Sequence, residues 1–248
     1  TAEALIGERS WDTLMFVITG SDRLSHYMWD QWEDQNAQYH ERYIEFYKNV
    51  DRTIGSIVDG MNQDDILVMV SDHGFERQEY SLNLNTLLKE NGFLSVEEGE
   101  IITYASITSE SKAFCMDPGR IYIHRKDRFP NGTVQEDDVP KIIDELIGFF
   151  KEYTYEGNSI TKEIYRGDDV FHGPYAARGP ELVLLSAPGI SFSGRIQSEE
   201  LIEDTVITGK HRYDDAVFLY RGAPKIEIPS PMDVTKVTNI IQQTGLLP

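Results

Sequence analysis

Apolar side chains recur along this chain in two alternating rhythms. "WDTLMFVIT" (11–19) is a short apolar run closed by "GSD", and "DDILVMV" (64–70) is a second; both have the composition of a strand buried on two faces. Between them the period lengthens. Tyr39, Tyr43, Phe46, Val50, Ile54 and Ile57 return at three- and four-residue steps, which predicts one apolar face of a helix. Strand, helix, strand predicts a crossover unit with parallel strands and a right-handed connection. Further on, "YSLNLNTLLKENGFL" predicts a short helix stopped by Gly92, "GRIYIHR" a strand, and "EDDVPKIIDELIGFFKEY" (136–153) an amphipathic helix. "ELVLLSAPG" (181–189) and "DDAVFLYRG" (214–222) return to the buried-strand type, and "DVTKVTNIIQQTGLLP" closes as a helix. The expected class is α/β, a central sheet with helices on both faces. No repeat, low-complexity tract or long linker interrupts it. One domain is expected, with a core of about 1–94 and 173–248 and an inserted cap or subdomain of about 95–172.

Polar residues become informative where the apolar runs stop. The first run leads into Asp22 with His26 four residues on; the second, "ILVMVSDHGF", leads into Asp72 and His73. Open α/β sheets collect ligands in the crevice beyond the carboxyl ends of their strands, so both pairs are expected at one sheet edge. Asp22 and His26 share a face if their segment is helical. Asp72 and His73 are adjacent, so aiming both together needs an irregular loop, which Gly74 permits. His211, in the glycine-containing "TGKHRYDDAVFLYRG" ahead of a strand, is a fifth candidate. His40, beside Tyr39 on the predicted helix, reads as packing, and His124 and His172 lack a ligand setting.

Composition narrows the partners. Hydrophobic residues at 40% and aromatics at 11% suit a globular chain of 248 residues. A net charge of −19 and a pI near 4.6 oppose nucleic acid or an anionic membrane as a main partner. The single Cys115 excludes an internal disulfide and a cysteine-rich zinc site, and fits a reducing, cytoplasmic setting. No run approaches the roughly 20 apolar residues of a membrane span, and no secretion signal opens the chain.

Imidazole nitrogen with carboxylate oxygen is the usual donor set for zinc outside cysteine sites, and mixed Asp/His sets also serve manganese or iron. Two histidines with one aspartate leave a position open for water or substrate. Bound cations would also give an acidic protein positive charge where a phosphate needs it. Taken singly, Asp-x-x-x-His is an ordinary surface or capping pair, and a histidine in a glycine loop is an ordinary polar residue. Their ordered combination is harder to dismiss.

The order Asp-x-x-x-His, Ser-Asp-His-Gly-Phe, then Thr-Gly-x-His-Arg before a strand resembles the alkaline phosphatase superfamily, and within it the type I phosphodiesterase/nucleotide pyrophosphatase family. "NLNTLLKENGFL", "KAFCMDPGRIYIH" and "DVTKVTNIIQQTGLLP" resemble that family's wording as well. The resemblance implies an alkaline phosphatase-like central sheet, incomplete at the N-terminus. It also implies two divalent metals, zinc in most members with manganese possible. Asp22, His26 and His211 match the ligands of one metal, and Asp72 with His73 those of the other. The implied activity is hydrolysis of a phosphate ester, most of all a diester or nucleotide pyrophosphate, through a phosphorylated Thr or Ser. That hydroxyl and a further early Asp have no counterpart here. The chain, which starts at Thr1, is expected to be the C-terminal portion of a longer enzyme and inactive by itself, with no catalytic nucleophile of its own. The shared metal core leaves a sulfatase or phosphoglycerate mutase as an alternative, and a noncatalytic metal-binding module as another.

Overall fold

The computed structural model describes residues 12–222 and 225–245. In chain order its elements are α1 (Thr19–Glu33), α2 (His40–Gly60), β1 (Leu67–Val70), β2 (Gly74–Asn83), α3 (Leu84–Glu90), β3 (Ala113–Asp117), β4 (Arg120–Ile123), α4 (Val139–Glu152), β5 (Thr154–Tyr155), β6 (Asn158–Ser159), β7 (Thr161–Arg166), α5 (Gly167–Val170), β8 (Leu182–Ser186), β9 (Gly189–Ser193), β10 (Ile202–Glu203), β11 (Gly209–Arg212), β12 (Phe218–Arg221) and α6 (Val237–Gln242). Several sheets alternate with helices, which is the α/β class expected. The chain divides into two compact units. One holds the residues up to Glu76 and those from Ile207 onward; the other is Arg77–Val206. The sequence reading drew these edges near 94/95 and 172/173.

In the first unit the apolar periodicity of 39–57 becomes α2, and its buried Tyr43 shares a hydrogen bond with Ser25 of α1 at 3.2 Å. Two helices form here, because the polar stretch after Glu33 turns the backbone extended at Asp34 and ends α1. Strand β1 pairs antiparallel with β12, Leu67 opposite Arg221 and Val70 opposite Phe218. The expected first strand is corrected: 12–18 carry no strand, and Met15 and Val17 are 85% and 72% exposed. An apolar run records a tendency to be buried, but a strand also needs a neighbour to take its N–H and C=O groups. Without that strand the expected parallel crossover is absent among the described residues. No helix among them is long and apolar enough to cross a membrane.

The second unit holds the packed core. From Gln78 onward β2 runs parallel to β9, with Tyr80 beside Ile190 and Leu82 beside Phe192, and β10 pairs antiparallel at Leu82 and Ser81. Strands β3, β4, β8 and β7 form a second, antiparallel sheet. Helix α4 buries Val139, Ile142, Leu146 and Phe150, spaced three or four apart on one face. These meet Leu82, Leu87, Phe114 and Ile121 in one apolar cluster. Helix α3 begins only at Leu84, where the Asn83 side chain caps it by accepting the Thr86 N–H at 3.0 Å. The ten residues before it, Gly74–Asn83, are the long strand β2.

Candidate metal centre

Helix α1 sets the first two side chains. Asp22 stands in its first turn, where the positive end of the helix dipole favours a carboxylate. His26 follows one turn later on the same face, as its spacing requires. His211 comes from β11, a short strand and not the loop expected for it. His73 comes from the irregular link between β1 and β2.

Their reactive atoms converge. His211 Nε2 lies 2.9 Å from His26 Nε2 and 3.0 Å from Asp22 Oδ1, and His26 Nε2 is 3.6 Å from the same oxygen. One ligand atom from each of Asp22, His26 and His211 fits within 4.8 Å of the others, so this trio could hold a metal ion. His73 Nε2 is 3.9 Å from Asp22 Oδ1 and 3.6 Å from Asp72 Oδ2, and its ring stacks on His211 with centroids 3.6 Å apart. Asp22, His26, His73 and His211 thus meet around Asp22 Oδ1, while Asp72 joins them only through His73 and its side chain is 85% exposed.

Backbone carbonyls decide the tautomers. A carbonyl can only accept, so His26 donates from Nδ1–H to Gly209 O at 2.9 Å, and His73 from Nδ1–H to its neighbour Gly74 O at 3.1 Å. Neutral rings held this way turn unprotonated Nε2 atoms toward the centre, the arrangement that ligating histidines take. The His26 Nε2 lone pair then faces His211 Nε2 and the Asp22 carboxylate. A proton or a cation relieves that crowding of donor atoms, so the donor set fits a divalent metal. His211 is held below the usual imidazole range, first by burial and then by His73, although Asp22 pulls it upward. A depressed value favours the neutral ring, which has one ring nitrogen free to donate its lone pair.

Two glycines allow the approach. A side chain at Gly209 would collide with the Ser25 carbonyl oxygen of α1, so only glycine lets β11 lie against that helix and offer its own carbonyl to His26. Thr208 reinforces the contact: its N–H donates to His26 O at 2.8 Å and its hydroxyl to Asp30 at 3.1 Å. A Cβ on Gly74 would sit 2.7 Å from Asp214 O. The need at Gly74 is thus close packing, beyond the loop freedom that the sequence suggested. The cations flanking His211 are engaged, Lys210 with Glu76 at 2.9 Å and Arg212 with Asp214.

The remaining histidines stand elsewhere. His40 opens α2 and donates from Nδ1–H to Gln31 O at 2.9 Å; His124 is buried at the end of β4 against Phe114 with Nε2–H on Pro130 O; His172 is exposed. Phe75 and Thr208 close and open the Ser-Asp-His-Gly-Phe and Thr-Gly-x-His-Arg motifs, but sequence reasoning gave neither a role, and it did not single out Ser25.

A family model described as Type I phosphodiesterase / nucleotide pyrophosphatase matches residues 1–214, a span that includes all five candidate residues. No curated protein and no solved structure matches the chain.

Proposed function

Because this chain belongs to the type I phosphodiesterase / nucleotide pyrophosphatase family, we propose that Asp22, His26 and His211 hold one divalent cation and that Asp72 and His73 contribute to a second. Zinc is the metal of this reading, with manganese next. The centre hydrolyses small phosphate esters, foremost phosphodiesters and nucleotide pyrophosphates. One observation carries the reading: two imidazoles whose Nδ1–H groups are held by backbone carbonyls turn Nε2 atoms toward one shared carboxylate.

A bound cation supplies Lewis acidity toward phosphoryl oxygens. The chain's own residues do the positioning. Asp22 brings negative charge to the middle of the donor set, and the carbonyls of Gly209 and Gly74 hold the proton of each ring at Nδ1. Lys210 and Arg212 are paired with carboxylates, so they do not serve as phosphate anchors. Four hydroxyls near these residues in sequence are also committed, Ser25 among them through Tyr43 at 3.2 Å and Tyr47 at 3.0 Å. Ser71 Oγ accepts the Val217 N–H at 2.7 Å, Ser21 donates to Ile18 O at 2.8 Å, and Thr208 donates to Asp30. In this reading none of them is the covalent nucleophile. The two units act as one catalytic domain, and the cytoplasmic setting suggested by the single cysteine belongs to the same proposal.

Calorimetric titration with zinc tests it. The wild-type chain binds zinc, His211→Ala lowers the affinity roughly 100-fold, about 2.7 kcal/mol, and His172→Ala changes it less than threefold. Absence of binding at any zinc concentration removes the reading; equal losses in the two variants overturn the residue assignment.

A further inference from the structure

The three imidazoles of the centre are not held in the same way. His26 and His73 each have a backbone carbonyl on Nδ1. His211 does not. Both its hydrogen-bond contacts are made through Nε2, toward His26 and Asp22, and among the described residues nothing engages its Nδ1. Ring contacts surround it instead: the stack on His73, the tilted His26 ring at 4.7 Å and one phenylalanine in edge-to-face contact.

That phenylalanine is Phe75, two residues beyond His73, and its ring meets all three imidazoles. Its centroid lies 5.0 Å from His26, 5.4 Å from His73 and 5.2 Å from His211, with interplanar angles of 78°, 61° and 81°. These are edge-to-face contacts, the favoured geometry for aromatic pairs. Behind it Trp29 of α1 lies nearly parallel at 22° and 6.0 Å, and Trp29 is tied through its indole N–H to Glu33 at 3.0 Å. Phe75 is therefore in contact with Trp29 as well as with the three imidazoles.

We propose that Phe75 is the positioning residue of this centre: its ring fixes the plane of the His211 imidazole, taking the place of the carbonyl that His26 and His73 have. Phe75 touches no cation and no substrate. It acts through His211, and less through the other two rings, whose orientation the backbone already fixes. The consequence for metal affinity rests on the reading above that these imidazoles hold a cation; the ring-ordering effect does not.

The test uses Phe75→Leu, which keeps much of the apolar volume but removes the ring, and Phe75→Tyr, which keeps the ring. In the zinc-free protein, carbon relaxation of the histidine rings is expected to show lower order for His211 in Phe75→Leu, with His26 unchanged and Phe75→Tyr like wild type. Zinc affinity, read by competition with a chromophoric chelator, falls roughly tenfold in Phe75→Leu and less than threefold in Phe75→Tyr. On a His211→Ala background Phe75→Leu causes a further loss of less than threefold, because the ring it chiefly positions is gone. Equal loosening of His26 and His211, or additive losses in the double variant, overturns the proposal. If wild type binds no zinc, the cation reading fails and the ring-order measurement still decides the role of Phe75. Should Phe75→Leu fail to fold, Phe75→Met carries the same expectations.

Discussion

Phe114, Leu146 and Phe150 of the second unit are sealed from water, whereas among the described apolar residues of the first unit only Tyr43 and Ile240 are comparably buried. Every candidate ligand nevertheless lies in the first unit. The difference separates two ways of holding side chains. Helix α4 and its sheets fix their residues by removing apolar area from water, which is strong and indifferent to direction. The centre around Asp22 fixes its residues by directional means: carbonyls at 2.9 and 3.1 Å on two imidazoles, a stacked ring pair, and a glycine that lets a strand lie against a helix. Functional regions are commonly drawn from the less stable parts of a fold, and the first unit has that character.

The largest expected effect strikes the second unit alone. Phe150 is fully buried, and Phe150→Ala is expected to cost about 4 kcal/mol by leaving a cavity in the core. Urea unfolding measures that loss and zinc titration of the folded protein its independence. If zinc affinity falls in step with stability, the two units are not separable as argued.

A smaller effect sharpens the picture through pH. Burial raises the Glu181 carboxyl, although the Ile123 N–H at 2.9 Å and Arg128 at 3.2 Å pull it down. A raised native value means that the folded state holds this proton more tightly than the unfolded chain. That contribution is complete below the ordinary carboxylate range and is lost as pH rises through the raised value. The stability of wild type relative to Glu181→Gln should therefore decline with rising pH over that span, in urea titrations at a series of pH values. A difference that grows with pH would show the Arg128 pair outweighing burial. The smallest effect belongs to Met15→Ser, expected to shift stability by less than about 0.5 kcal/mol because the side chain is almost wholly exposed.

How far the sequence was legible follows from the same distinction. Periodic burial reads well, so α4 and α2 appear within a few residues of where Val139 to Phe150 and Tyr43 to Ile57 predict them. The spacing of Asp22 and His26 put both on one face on the condition that their segment is helical, and α1 meets that condition. The run at 14–18 misleads because its apolar letters cannot report whether a partner strand is present. Strand β2 was hidden for the opposite reason: "GFERQEYSLN" mixes charged and half-buried positions and alternates poorly. The roles of Phe75 and Gly209 depend on how near a distant segment comes, and nothing local in the sequence records that distance.

The pairing of His26 with His211 joins positions 185 residues apart, with the whole second unit encoded between them. Ribosomes emit about 5–20 residues per second, so the α1 half of the centre waits roughly 10 to 40 s for β11 to be synthesised. By the time β11 is added, Arg77–Val206 has all of its own core residues synthesised. Metal loading must therefore be a late event in the life of the nascent chain, open only after the last histidine has left the exit tunnel. Ribosome-stalled chains ending before Gly209 would lack His211 and with it part of the proposed cation site.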